Sequence, residues 1–425
     1  MLRVERDHVF SAAIRGVFSA ARRISAVPEG MIEQMIARRV VAVQQALHPF
    51  FTAVLQSPPR SGPPVIADLM TGDPQELPPP GFVDAMQRYS IPRSPDWFAY
   101  CFAHEPARQA AAAALTAELG MNFAGSDIFL TRGAGGAIAL ALLTVVDPGD
   151  EVVFLSPPWF FYEAMILSIG ATPVRVRLEP PAFDLDVDAI AAALGPRTRA
   201  VVMNTPHNPT GRIYPAAALQ RLADTLAQAA QRYGQPIWVI SDEAYSRILF
   251  DERRFVSPSS FHPYSVLART YSKTTLTPGQ RLGYLALAPG PPQTEAMRDA
   301  VFHVLLSSGL AMPDAVMQYA LPDIDGLLID VAAIQCRRDR MVAALREQGY
   351  QVHSPEATFY LLPQAPVADD SAFCALLARQ GVAVLPGHVI ELPGYFRISL
   401  TATDETVERS LPIFAHAIQH TRGTG

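Results

Sequence analysis

Ala200-Val201-Val202-Met203-Asn204 runs straight into Thr205-Pro206-His207-Asn208-Pro209-Thr210-Gly211. A short, mostly apolar segment of strand character meets a polar turn whose two prolines and glycine fix the backbone tightly. A strand that ends this way is the repeating unit of a parallel α/β sheet, where ligand groups gather at the carboxyl ends of the strands. Asn208 offers an amide donor there to a ligand oxygen.

Outward from this stretch the pattern repeats. Residues 127–131, 151–155 and 173–178 read as strands on the upstream side, and 237–242 and 283–287 on the downstream side. The alanine-rich 107–119 and the apolar 137–145 read as helices, and 83–89 as a further helical stretch. Strands separated by helices predict an α/β fold, a mainly parallel sheet flanked by helices on both faces. After 321 come a long helix through 337–348, two short strands and a final helix from 403, which predicts a smaller α+β domain. Before it all, two amphipathic helical stretches reach about residue 56, broken near 28–30, and a proline-rich connector covers 57–64. The chain is therefore divided into an N-terminal helical arm (1–60), a small domain (61–95 and 321–425) and a large domain (96–320).

Composition narrows the function. The 425 residues are 49% hydrophobic and 17% charged, an ordinary globular balance, and the formal charge of −6 gives no basic footprint for nucleic acid. No apolar run reaches the ~20 residues that a membrane helix needs. Cys101, Cys336 and Cys374 lie far apart, with neither disulfide nor metal-ligand spacing. Glu5, Asp7 and Glu29 interrupt what would otherwise resemble a transit peptide, and a secretory apolar region is lacking. The expectation is a cytoplasmic enzyme without a metal.

Three more strand ends carry polar or small residues. Thr131-Arg132-Gly133-Ala134-Gly135-Gly136 lets backbone amides approach a phosphate beside a helix N-terminus. Ile138 stands where a dinucleotide fingerprint requires glycine, so that reading fails. Trp159, after the strand at 151–155, is placed to stack on a flat ring or to fill the core. Asp242, in Ser241-Asp242-Glu243-Ala244-Tyr245, is a carboxylate suited to a protonated heterocyclic nitrogen, and the Tyr245 phenol follows three residues later. Finally, Lys273 is the single lysine of the chain; the rest of the 34 Lys+Arg positions are arginine. An arginine stays protonated, whereas a lysine amine can lose its proton and attack a carbonyl. A genome biased toward arginine explains the missing lysines but not the retained one.

In order and wording these segments resemble the pyridoxal-phosphate-dependent aminotransferases of fold type I, the class I/II group that includes aspartate aminotransferase. The resemblance runs from about residue 66 to 414 and is carried most specifically by Pro206–Gly211. It implies a Schiff base between Lys273 and pyridoxal 5'-phosphate. Asp242 would pair with the pyridine nitrogen, and Asn208 and Tyr245 with the ring oxygen, while Trp159 stacks on the ring. Gly133, Ala134 and Gly135 would bind the phosphate through their amides, with Thr270 or Ser272 and with Arg281, eight residues after the lysine. Arg397, in Phe396-Arg397-Ile398-Ser399-Leu400, would hold the substrate carboxylate as a bidentate fork. Gly72 and Tyr100 complete the substrate positions; Tyr100 matches a tyrosine that family members send to the neighbouring subunit. Leu276 stands where the family often has glycine.

The implied activity is transfer of an amino group from an α-amino acid to a keto acid. Lys273 moves a proton between substrate and cofactor through a quinonoid intermediate. Elimination, replacement, cyclisation or oxidation on an amino acid or on S-adenosylmethionine stays open at this point. The N-terminal arm has no basic recognition helix of the kind a DNA-binding regulator needs. A homodimer is implied by the family alone.

Overall fold

The computed structural model describes residues 35–56, 65–290, 294–310 and 313–423. The expected helical stretch before residue 28 and the connector at 57–64 lie outside them. The described elements begin with helix α1 (Arg38–Gln56), strand β1 (Ala67–Asp68), α2 (Pro80–Ser90) and α3 (Glu105–Leu119). They continue through β2 (Ile128–Thr131), α4 (Gly133–Val145), β3 (Glu151–Ser156), α5 (Tyr162–Ser168) and β4 (Thr172–Arg177). Next come α6 (Val187–Ala193), β5 (Thr198–Asn204), α7 (Ala216–Tyr233), β6 (Trp238–Asp242), β7 (Ser265–Thr270), α8 (Tyr271–Thr274) and β8 (Gly283–Leu287). The remainder holds α9 (Thr294–Ser307), α10 (Ala315–Ile324), α11 (Val331–Gln348), β9 (Tyr360–Leu361) and α12 (Asp370–Arg379). It ends with β10 (Val382–Ala383), β11 (Leu385–Pro386), β12 (Phe396–Ser399) and α13 (Asp404–Gly423).

Seven strands form the central sheet in the order β2-β8-β7-β6-β5-β3-β4. All neighbours are parallel except β8, which runs antiparallel to both β2 and β7. Side chains alternate across the pleat, so each strand feeds two layers. Val152, Phe154, Val202 and Ile240 enter one buried cluster, and Val153, Leu155, Val201 and Val239 the other. This two-sided burial explains why the central strands read as continuous apolar runs. Glycines end the flanking helices where the chain must turn left-handed, as at Gly120 after α3 and Gly234 after α7.

Three sequence expectations are corrected. Strand β7 lies where the sequence pattern predicts none, because the buried Arg269 interrupts its apolar run. The glycine-rich segment is no separate turn before a helix at 137; α4 already begins at Gly133. The C-terminal part contains four short strands rather than two, with β11, β12 and β9 in one small antiparallel sheet and β10 paired in parallel with β1. Among the described residues no helix is long and apolar enough to cross a membrane.

The antiparallel strand β8 brings distant segments together at one edge of the sheet. Gly283, its first residue, lies opposite Thr131 on one side and Thr270 on the other. The ends of β2 and β7 and the start of β8 therefore sit side by side, and the 271–282 link returns across the same edge. Gly283 makes this possible. A Cβ there would meet the Arg269 carbonyl at 2.4 Å and the Gly133 backbone at 2.7 Å.

Candidate active site

The carboxyl ends of β3, β5, β6 and β7 converge with the start of α4 on one cavity. Its lining includes Gly72, Ala134, Gly135, Trp159, Asn208, Asp242, Tyr245, Thr270, Ser272, Lys273, Arg281 and Arg397. Twelve of the fourteen residues singled out in the sequence are thus brought together. Gly133 does not line the cavity, yet it has a clear place beside it. Its φ is +76°, and a Cβ on it would come within 2.9 Å of an Arg281 guanidinium nitrogen. Tyr100 stands apart, 87% exposed and away from the cavity of its own chain.

At one end of the cavity, α4 presents its first turn. Arg281 lies against it and donates to the Arg132 carbonyl at 3.0 Å and the Pro278 carbonyl at 2.9 Å. No carboxylate lies within ion-pair reach of this guanidinium among the described residues, and burial holds it below its ordinary pKa. Thr270 caps the short α8 by accepting from the Ser272 amide, and its hydroxyl donates to that of Ser272 at 3.0 Å. Two residues of this link, Leu276 and Arg281, adopt left-handed backbone angles with φ of 53°. For a residue with a Cβ that geometry costs about 1–2 kcal/mol. It accounts for the glycine that the family often has at the position of Leu276.

In the middle, Lys273 Nζ lies 5.9 Å from the Tyr245 ring centroid and 5.6 Å from that of Phe359. Asp242 is buried on the strand side. Tyr162 donates to its Oδ2 at 2.5 Å and the Ala244 amide to its Oδ1 at 3.2 Å. Burial nevertheless dominates and pushes this carboxyl up to about 6. Asn204 ties the two strand ends together, accepting from the Asn208 amide at 2.6 Å and donating to the Asp242 carbonyl at 3.0 Å.

At the far end, Arg397 donates to Asn208 Oδ1 at 3.3 Å and to the Met70 carbonyl at 3.2 Å. Its guanidinium sits 4.1 Å from the centroid of the Tyr360 ring, and its Nε is buried with no hydrogen-bond partner. Burial would raise the Tyr360 phenol, but Arg397 and Lys273 outweigh it and hold it below its ordinary value. A Cβ on Gly72 would run into that phenol, which explains the glycine there.

Several contributors are not apparent from the sequence. Tyr162 positions Asp242 from three residues beyond Trp159. Tyr360 closes Ala357-Thr358-Phe359-Tyr360, a stretch whose wording resembles the family but which assigns no role to its phenol. Asp73 and Phe50 also line the cavity, the latter from α1. A phenol at a buried helix start was the available signal for Tyr162; none in the local sequence points to Phe50.

The arrangement provides three cations facing a common space, none of them in an ion pair among the described residues, a buried acid on one wall, and a half-buried indole. Such a set suits a flat, anionic ligand with a basic ring atom, together with a second carboxylate. Comparison with known proteins agrees. The profile of the family described as aminotransferase class I and II matches residues 64–412. The aspartate/prephenate aminotransferase of Cereibacter sphaeroides is 32% identical, the alignment covering 69% of this chain and 76% of that one. A methionine aminotransferase of Escherichia coli is 33% identical over 62% of this chain and 68% of its own length. Among solved structures, aspartate aminotransferase of Thermus thermophilus with maleate superposes with a TM-score of 0.75 at 26% identity, covering 90% and 99% of the two chains. By its sequence, its fold and the wording of its strand ends, this chain belongs to the class I and II aminotransferases, a family of pyridoxal-phosphate-dependent transferases.

Proposed function

We propose that the cavity binds pyridoxal phosphate through Lys273 and moves the amino group of an α-amino acid to a keto acid. The observation that carries this reading is the meeting, in one cavity, of the single lysine with two arginines that make no ion pair among the described residues. The residues present fit the cofactor. The amides of Gly133, Ala134 and Gly135, the hydroxyls of Thr270 and Ser272, and Arg281 would hold its phosphate. Asn208 and Tyr245 would bond its ring oxygen, Trp159 would cover its face, and Asp242 would stand at its ring nitrogen. When bound, the cofactor supplies an aldehyde that exchanges with the amino group and a ring that draws electron density from the substrate Cα.

The protein supplies the rest. Arg397 fixes the substrate carboxylate, and its buried, unsatisfied Nε is a donor waiting for that oxygen. Lys273 Nζ takes the Cα proton and returns it, acting first as base and then as acid. Asp242, held by Tyr162 and Ala244, favours a proton on the ring atom opposite it, an electrostatic effect in place before the reaction begins.

The same reading includes a homodimer and a cytoplasmic location, the latter supported by three free cysteines. It also includes a large domain of 96–320 and a small one of 61–95 with 321–425. The parallel pairing of Ala67 and Asp68 with Val382 and Ala383 supports that grouping. The decisive experiment is borohydride reduction of the holoenzyme followed by peptide mass spectrometry. A pyridoxyl mass on Lys273 is expected, and an unlabelled Lys273 would sink the assignment. Incubation with an amino acid and no keto acid should then convert the bound cofactor stoichiometrically to its aminated form.

A further inference from the structure

Once Arg397 holds the α-carboxylate, the substrate side chain must lie against what surrounds that arginine. Leu385 stands opposite Arg397 in the β11–β12 pairing, and the Met70 carbonyl accepts from its Nη2. Both residues belong to one buried apolar cluster with Phe50, and Phe160 and Phe161 pack against it. Phe50, only 5% exposed, stacks on Phe160 with centroids 4.0 Å apart and planes 15° from parallel. Aliphatic and aromatic side chains, Met70, Leu385, Phe50, Phe160 and Phe161, therefore line one side of the cavity.

Charge makes the same point. The cations that line the cavity among the described residues are Lys273, Arg281 and Arg397, and the transamination reading employs all three. The acid left over is Asp73, whose carboxylate accepts from the Thr71 hydroxyl at 3.3 Å. Among the described residues of this chain, a second carboxylate on the substrate would find no cation left for it and would face an anion. Burying an unpaired charge in this way is strongly unfavourable.

We propose that the amino donor of this enzyme carries an uncharged apolar or aromatic side chain, and that Phe50 is the residue that selects it. The proposal rests on Arg397 as the α-carboxylate site. It separates this chain from the relatives named for aspartate, and the structure offers a reason for the difference. Phe50 sits on α1, outside the 64–412 span shared with the family profile. Behind the Phe50–Phe160 stack lies a second cavity of mixed character, in which Ala42, Ala46 and Leu167 stand beside Glu163, His388 and Glu391. Those two rings are the partition between the cavities, so the partition also sets how long a side chain can be.

Two measurements test this. In single-turnover reactions of the holoenzyme, phenylalanine and leucine should convert the cofactor with kcat/KM values about a hundredfold or more above those of aspartate and glutamate. In calorimetry, the unreactive 3-phenylpropionate should bind about tenfold or more tightly than maleate, in a readout that needs no turnover. Phe50→Ala should weaken 3-phenylpropionate about tenfold with maleate unchanged, because it removes the ring that closes the apolar side of the cavity. Phe50→Leu, which keeps an apolar filling of the site, should fall between the two. Aspartate turning over as well as phenylalanine, or maleate binding as tightly as 3-phenylpropionate, would overturn the proposal. It would mean that a cation from beyond the described residues serves the side chain. Failure of every amino acid to aminate the cofactor would instead strike at the transamination reading, while the calorimetric comparison still decides this one.

Discussion

Asp242 and Glu243 are adjacent at the end of β6, yet their carboxylates enter two regions built on opposite plans. Glu243 accepts from Ser241 at 2.8 Å and from Arg269 Nε at 2.8 Å; Arg269 in turn donates to Glu118 at 2.9 Å. Glu118 also accepts from Arg247 at 3.2 Å, and Arg247 reaches Asp325. Burial alone would lower Arg269, but Glu243 and Glu118 outweigh it and hold the guanidinium above its ordinary pKa. Every charge in this cluster faces an opposite one. On the other side of the strand end, Lys273, Arg281 and Arg397 share a cavity in which none of the three forms an ion pair among the described residues. Two charge clusters a single residue apart thus follow opposite plans: the closed one ties strand ends together by pairing, and the open one leaves its cations unpaired, the arrangement expected where charges serve a ligand.

The largest expected effect falls on the open side alone. Lys273→Ala should lower turnover by up to about four orders of magnitude, while thermal unfolding of the cofactor-free protein stays at or above the wild-type midpoint. A variant that unfolded instead would erase the distinction. On the closed side, Glu243→Gln leaves Arg269 facing an amide and should cost about 3–5 kcal/mol of stability, measured by urea unfolding, with a much smaller loss of turnover per folded molecule.

Asp242→Asn sharpens the contrast because it should act in the other direction on stability. The folded-state pKa of about 6 exceeds the ordinary value of 3.8. Between these values the folded chain binds more protons than the unfolded one, so stability falls as pH rises through the window and levels off above it. At neutral pH the cofactor-free Asn variant should therefore be more stable than wild type by up to about 3 kcal/mol. The gain should fade toward pH ~4, as urea titrations at several pH values would reveal. The smallest effect is expected for Arg397→Lys. A point charge replaces a planar fork, and KM for the amino donor should rise about ten- to a hundredfold with kcat less affected.

The contrast between the two clusters also explains what could be read from the chain directly. Asn208, Asp242, Lys273 and Arg281 announce themselves because a ligand at the carboxyl ends of parallel strands demands polar residues in short, rigid segments that directly follow apolar ones. The closed cluster carries no local signature. Arg269 finds Glu243 across 26 positions and Glu118 across 151, so in the sequence it looks like a mere interruption and hides β7. Phe50 is hidden for a related reason. One aromatic on an amphipathic helix is indistinguishable from any other until the fold sets it against Phe160. Boundaries slip where short strands pair only at a distance, as in the C-terminal sheets. Chemistry confined to neighbouring residues is legible, and pairing between distant ones is not.

Gly283 touches both regions. Its missing side chain leaves the Arg269 carbonyl, beside the closed cluster, and the Gly133 backbone, at the Arg281 end of the open one, close on either side. The charged truss and the ligand cradle are thus seated on each other with a clearance of one hydrogen atom. A methyl group at that point would act as a wedge, levering the first turn of α4 away from the lysine without altering a single residue that lines the cavity. The positional accuracy of the catalytic machinery is a mechanical tolerance, set by an atom that is not there.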